Sequence, residues 1–133
     1  MKFERFAAAA MLLVAFPLVS QQAAPRPLSV DLSCLGHDCP LLRGAPQTAG
    51  MRSGLVQLKP GESVGEHTTG DHEEALVILH GQGRAEVEGR KAIPISAKRL
   101  IYIPPRTRHN VTNTGDVLLE YVYVVAPVEK TSE

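Results

Sequence analysis

After Gly50 the chain breaks into apolar or alternating runs too short for helices, and this most restricts the folds open to it. The runs are Leu55 to Leu58, Glu74 to His80, Arg84 to Glu88, Leu100 to Ile103, His109 to Thr112 and Val117 to Val125. Turn formers separate them: Lys59-Pro60-Gly61, His80-Gly81-Gln82-Gly83, Glu88-Gly89-Arg90, Pro104-Pro105 and Asn113-Thr114-Gly115-Asp116. Strands at this spacing with such punctuation predict an all-β sandwich or barrel. Within EALVILH, Leu76 and Ile78 share a face with Glu74, while Ala75, Val77 and Leu79 share the other. Both faces are apolar, which predicts a strand covered on both sides, as in two packed sheets or a barrel wall with a dimer contact.

The two ends differ in character from this middle. Lys2 and Arg5 precede an apolar stretch from Phe6 to Val19, and small residues at Ser20, Ala23 and Ala24 offer cleavage points. The stretch is short for a bilayer span and has no polar face, so it reads as a secretory signal. The expectation is export, periplasmic or extracellular, with the signal cleaved; an uncleaved anchor is the alternative. The expected organisation is signal and leader over 1–24, an N-terminal segment over 25–50, a barrel over 51–128 and a short tail over 129–133. Without Lys2, Arg5 and Glu4 the rest holds 12 basic and 13 acidic residues. A near-neutral chain lacks the basic excess that nucleic acid or a membrane surface would favour.

The only cysteines, Cys34 and Cys39, lie in DLSCLGHDCPLL. In an exported chain such a pair predicts a disulfide closing a small loop. The Cys-x-x-Cys spacing of redox motifs is absent, and a metal site built on both thiols and His37 would need a fourth donor the neighbourhood does not offer.

Two spans carry the chemistry. The first has Gly61, five residues, His67, then His72, Glu73, Glu74, six residues and Gly81; the second has Pro104, Arg106, His109 and Asn113. This order resembles the two motifs of the cupin superfamily, whose first reads Gly-x5-His-x-His-x3–4-Glu-x6-Gly and whose second reads Gly-x5-Pro-x-Gly-x2-His-x3-Asn. Thr69 stands where the second histidine belongs, and Lys98 and Arg106 stand at two glycine positions. The resemblance runs from about Gly54 to Pro127 and implies a small single-domain member with an antiparallel double-stranded β-helix, the jelly-roll barrel.

By that resemblance His67, Glu74 and His109 are candidate metal ligands. Neutral imidazole nitrogens and a carboxylate suit a borderline divalent ion. His72 lies two residues before Glu74, on the same face of a strand, and is the expected replacement for the histidine missing at Thr69. The expected metal set is therefore His67, His72, Glu74 and His109, with open positions for water or substrate. Competing readings are satisfied interior histidines for His67 and His109, a solvated loop residue for His72, and an orienting carboxylate or general base for Glu74. The ion would be iron, manganese, nickel or zinc.

Function at this stage divides in two. One reading is a metal-dependent enzyme, an oxygenase or isomerase acting on a small organic molecule; the other is a non-catalytic module binding a small, sugar-like ligand. Fold alone does not choose between them. Lys98, Arg99, Arg106 and Arg108 form a basic cluster expected at a solvated rim, and Tyr102, Tyr121 and Tyr123 are expected mainly in packing, with one a candidate for the cavity wall. The doubly apolar strand, with the habit of similar small cupins, predicts a homodimer.

Overall fold

The computed structural model describes residues 23–129. The apolar signal stretch and the last residues of the tail lie outside them. Nine strands form two antiparallel sheets: β1 (Asp38–Arg43), β2 (Arg52–Leu58), β3 (His67–Thr68), β4 (His72–His80), β5 (Gln82–Val87), β6 (Ile93–Ser96), β7 (Leu100–Ile103), β8 (Arg108–Thr112) and β9 (Leu119–Pro127). The larger sheet has the order β1-β2-β9-β4-β7 and the smaller β3-β8-β5-β6. Among the described residues no helix is long and apolar enough to cross a membrane. The architecture is the double-stranded β-helix the motifs imply.

Alternation along each strand builds the core. Val56 and Leu58 of β2, Leu76 and Ile78 of β4, Ala85 and Val87 of β5, Val111 of β8, and Leu119 and Tyr121 of β9 meet between the sheets. Each fully buried aliphatic side chain of this kind contributes on the order of 1.5–3 kcal/mol. The outer face of β4 is bare in the single chain. Val77 and Leu79 are exposed, as are Leu100 and Tyr102 on the neighbouring β7, because nothing in the single chain lies against that part of the sheet.

The N-terminal segment contributes to the larger sheet. Its residues Asp38–Arg43 pair with β2, with a register shift between Pro40 and Leu42, and so add an edge strand to the larger sheet. Cys34 and Cys39 are joined by a disulfide with Cα atoms 5.5 Å apart, as the short spacing predicted.

The motif residues that do no chemistry hold the turns. Asn113, buried, donates from Nδ2 to the carbonyls of Leu58 and Val117 and accepts at Oδ1 from the Gly115 N–H. Gly81 has φ +78°, and a Cβ there would stand 2.3 Å from the Leu118 carbonyl oxygen, so both its conformation and its close neighbour require glycine. Lys98 and Arg106, at the two positions where the family pattern has glycine, keep the left-handed backbone (φ 67° and 55°) with full side chains.

Candidate metal centre

The register of β3 on β8 sets His67 directly opposite His109. Cross-strand partners share a face, and these two imidazoles turn inward with ring centroids 4.2 Å apart. Glu74 approaches from the other sheet, on β4, where it pairs with Val125 of β9 and Ile103 of β7. One donor atom from each of His67, Glu74 and His109 lies within 4.8 Å of the others.

The hydrogen bonds fix which nitrogens are free. His67 Nδ1 lies 2.9 Å from the Gly65 carbonyl, and His109 Nδ1 lies 3.2 Å from the Thr107 carbonyl. A carbonyl only accepts, so each Nδ1 carries the proton and each neutral ring keeps a bare lone pair on Nε2. His109 is 2% exposed. Its Nε2 stands 3.0 Å from Glu74 Oε2, yet it makes no directed hydrogen bond. A lone pair and a carboxylate facing each other in a dry site repel unless a cation or a proton lies between them. The donor chemistry therefore fits a divalent metal: two Nε2 lone pairs, one carboxylate, and both histidines held from behind by backbone carbonyls. A proton is the competing occupant. Burial lowers the His109 pKa, but the Glu74 carboxylate and the Thr107 carbonyl outweigh it, and the net shift is upward.

His72 is not brought into this group. Its parity with Glu74 holds, but it is the first residue of β4, half-buried opposite Pro127 at the end of the sheet. Among the described residues the donor atoms that lie within 4.8 Å of one another come from His67, Glu74 and His109, and those of His72 are not with them. Thr69 takes no ligand role either. It is buried, and its Oγ1 donates to the Pro104 carbonyl (2.8 Å) and accepts from the Thr107 N–H (3.0 Å). The residue at the missing-histidine position thus clamps the β3–β4 turn to the β7–β8 turn.

The three donors open onto a cavity of about 500 Å³, within the range of small-molecule sites. Val56, Val64, Leu76 and Val111 give it aliphatic walls, and Tyr121, Tyr123, Arg52 and Asp38 bring polar groups. Tyr121 and Tyr123 both line it, where one tyrosine was expected. Tyr102 faces outward and donates to Glu73. Asp38 escaped sequence reading because its strand β1 was not recognised, and Arg52 because the run read for β2 began only at Leu55; the alternation Arg52, Gly54, Val56, Leu58 was the available signal. Arg106 and Arg108 sit on the surface beside Asp71 and Glu66 and do not enter the cavity.

Residues 54–125 match the family model for the cupin domain. Among curated proteins the chain is 30% identical over 86 residues to polyketide synthase CurC of Streptomyces cyaneus, covering 62% of this chain and 55% of that one. It is 34% identical over 70 residues to an oxalate-binding protein of Thermotoga maritima, covering 53% and 57%. The chain spans little more than half the length of these relatives. In fold it matches an RmlC-like protein with a double-stranded β-helix from Methanocaldococcus jannaschii, with TM-score 0.65, 17% identity and coverage of 76% and 91%.

Proposed function

The chain belongs to the cupin-domain family, and from that premise we propose that it holds one divalent metal on His67, Glu74 and His109 and presents it to a small organic molecule. The observation that carries this reading is the bare Nε2 of His109, buried 3.0 Å from the Glu74 carboxylate without a hydrogen bond. Three protein donors leave coordination positions open, the arrangement of a catalytic rather than a structural site. A bound ion would supply Lewis acidity or, as iron or manganese, a place for dioxygen beside the substrate. The chain's own contribution is positional. The Gly65 and Thr107 carbonyls hold the two imidazoles, Glu74 supplies the anionic donor, and the aliphatic walls give an apolar bed beside the site.

The enzyme reading is favoured as a metal-dependent oxygenase acting on a small organic molecule. A non-catalytic binding module is the second reading, and it has one specific support: a relative is described as oxalate-binding. Elemental analysis of protein purified without added metal tests the centre. About one ion per chain, lost in His109→Ala, supports it; a metal-free parent that takes up neither zinc, manganese nor iron refutes it. Oxygen uptake by the iron-loaded protein with candidate acids and enols then separates the enzyme from the module.

Two further properties belong to the same proposal. Export is supported by the N-terminal apolar run and by the Cys34–Cys39 disulfide, which persists in oxidising compartments. A homodimer is supported by the exposed apolar face of β4 and β7, where Leu100 and Tyr102 are 65% and 54% exposed. Sedimentation at micromolar protein decides it, a single monomeric species counting against it.

A further inference from the structure

The inward side chains of the larger sheet form cross-strand rows that run from β2 across β9 to β4, the strand that carries Glu74. Arg52 faces Val125, and Val125 faces Glu74. Two strand spacings therefore separate Arg52 from Glu74, about 10 Å between backbones. The next row is Gly54, Tyr123 and Leu76; the one after is Val56, Tyr121 and Ile78. A Cβ on Gly54 would fall 2.6 Å from Tyr123 Cζ, so the ring lies against the bare backbone of β2, where any side chain would displace it.

Tyr121 is the unusual member of these rows. Its side chain is 2% exposed and lines the cavity, and its hydroxyl, which makes no hydrogen bond among the described residues, is not sealed away from that cavity. Thr69 and Asn113, also buried, spend their polar atoms on protein partners. A hydroxyl that meets the cavity without a protein partner is available to a molecule bound there. Burial first, then the charges of Glu74 and Asp38, push the Tyr121 pKa far up, so the group is a phenol and donates. Arg52 likewise has no carboxylate within ion-pair distance among the described residues, and its stem passes over Gly44.

We propose that Arg52 and Tyr121, with Tyr123 beside them, select a small organic acid. Its anionic oxygens take the guanidinium and the phenol, its apolar body lies on Val56 and Val125, and a second oxygen reaches the His67–Glu74–His109 centre. The last element rests on the metal reading above. The donor balance argues for an acid over a sugar. This end of the cavity offers a guanidinium and two phenol donors against one carboxylate, Asp38, whereas a sugar brings donors of its own and needs acceptors. Arg52 also supplies the planar fork that matches a carboxylate. Asp38 opposes the anion and tempers its affinity.

The test is calorimetric titration of the full chain, metal-free and zinc-loaded, with benzoate and cyclohexanecarboxylate, each against its neutral amide. Benzoate should bind at least about 10-fold tighter than benzamide, the scale of one charge-assisted hydrogen bond. Arg52→Gln and Tyr121→Phe should each reduce acid binding about 5- to 10-fold with amide binding and zinc content unchanged, and Asp38→Asn should increase it. A thermal melt of each variant confirms that it is folded. Equal affinity for acid and amide, no binding of either acid, or variants that bind acid like the parent would overturn the assignment. If zinc fails to bind while the acids still bind through Arg52 and Tyr121, the metal reading falls and the recognition wall stands. If zinc binds and no acid is preferred, the reverse holds.

Discussion

Replacing Thr69 with valine separates the structural task of that position from metal binding. Valine keeps the shape and removes only the hydroxyl, deleting the bond to the Pro104 carbonyl at 2.8 Å and the bond from the Thr107 N–H at 3.0 Å. Pro104 and Thr107 are half-buried, so water can recover part of each loss. A net cost of about 1 kcal/mol per bond is the appropriate scale, about 2 kcal/mol in all. For a domain of this size that corresponds to a melting point lowered by about 10 °C. Two backbone bonds across the same seam, Thr69 N–H to Thr107 O and Arg106 N–H to Gly70 O, should keep the turns together. Zinc affinity, measured by competition with a chromogenic chelator, should then change by less than about 3-fold, since the three donors are untouched. Thr69→Ser should restore most of the lost stability. A melting point within about 2 °C of the parent would refute the clamp, and a loss of zinc affinity beyond about 10-fold would show that Thr69 serves the metal after all.

Other expectations follow from the same geometry. His109→Ala should reduce zinc affinity at least 100-fold, whereas His72→Ala should hold it within about 2-fold, both read by the chelator assay; a large loss in His72→Ala would restore that residue to the ligand set. Arg106→Gly should stabilise by about 0.5–1 kcal/mol in urea denaturation, because relief of a left-handed non-glycine residue exceeds the added freedom of the unfolded chain. The His109 pKa is raised in the fold, so its protonation stabilises the metal-free protein fully below the ordinary histidine value. That contribution disappears as pH rises through the folded value. The metal-free melting point should therefore fall with rising pH through this window, while zinc affinity, which competes with the same proton, should rise.

Most strands were legible because their alternation or apolar content is long enough to read. β4, β8, β9 and the edge strand β7 were located to within a few residues. The strands missed are β1, β3 and β6, and each is the edge of a sheet. Two contain proline, Pro40 and Pro94, which is tolerated where one side of the strand has no ladder to complete but obscures the strand pattern. β3 is two residues long and has no period at all. His67, Glu74 and His109 were found through motif spacing, and parity alone could not place His72, because parity gives the face of the strand and not whether two side chains on it converge on one point. Tyr121 and Arg52 were harder. What sets them apart is an unfilled hydrogen bond and an absent counter-ion, and neither exists until the chain is folded.

The donors come from both sheets, two from β3 and β8 and one from β4. An ion seated there would act as a rivet through the sandwich, so that prising the sheets apart would require releasing it. At a free-ion level 100 times the dissociation constant, such a rivet adds about 2.7 kcal/mol of resistance to unfolding. The survival of the protein among proteases would then rise and fall with the local supply of metal, quite apart from any reaction the ion performs.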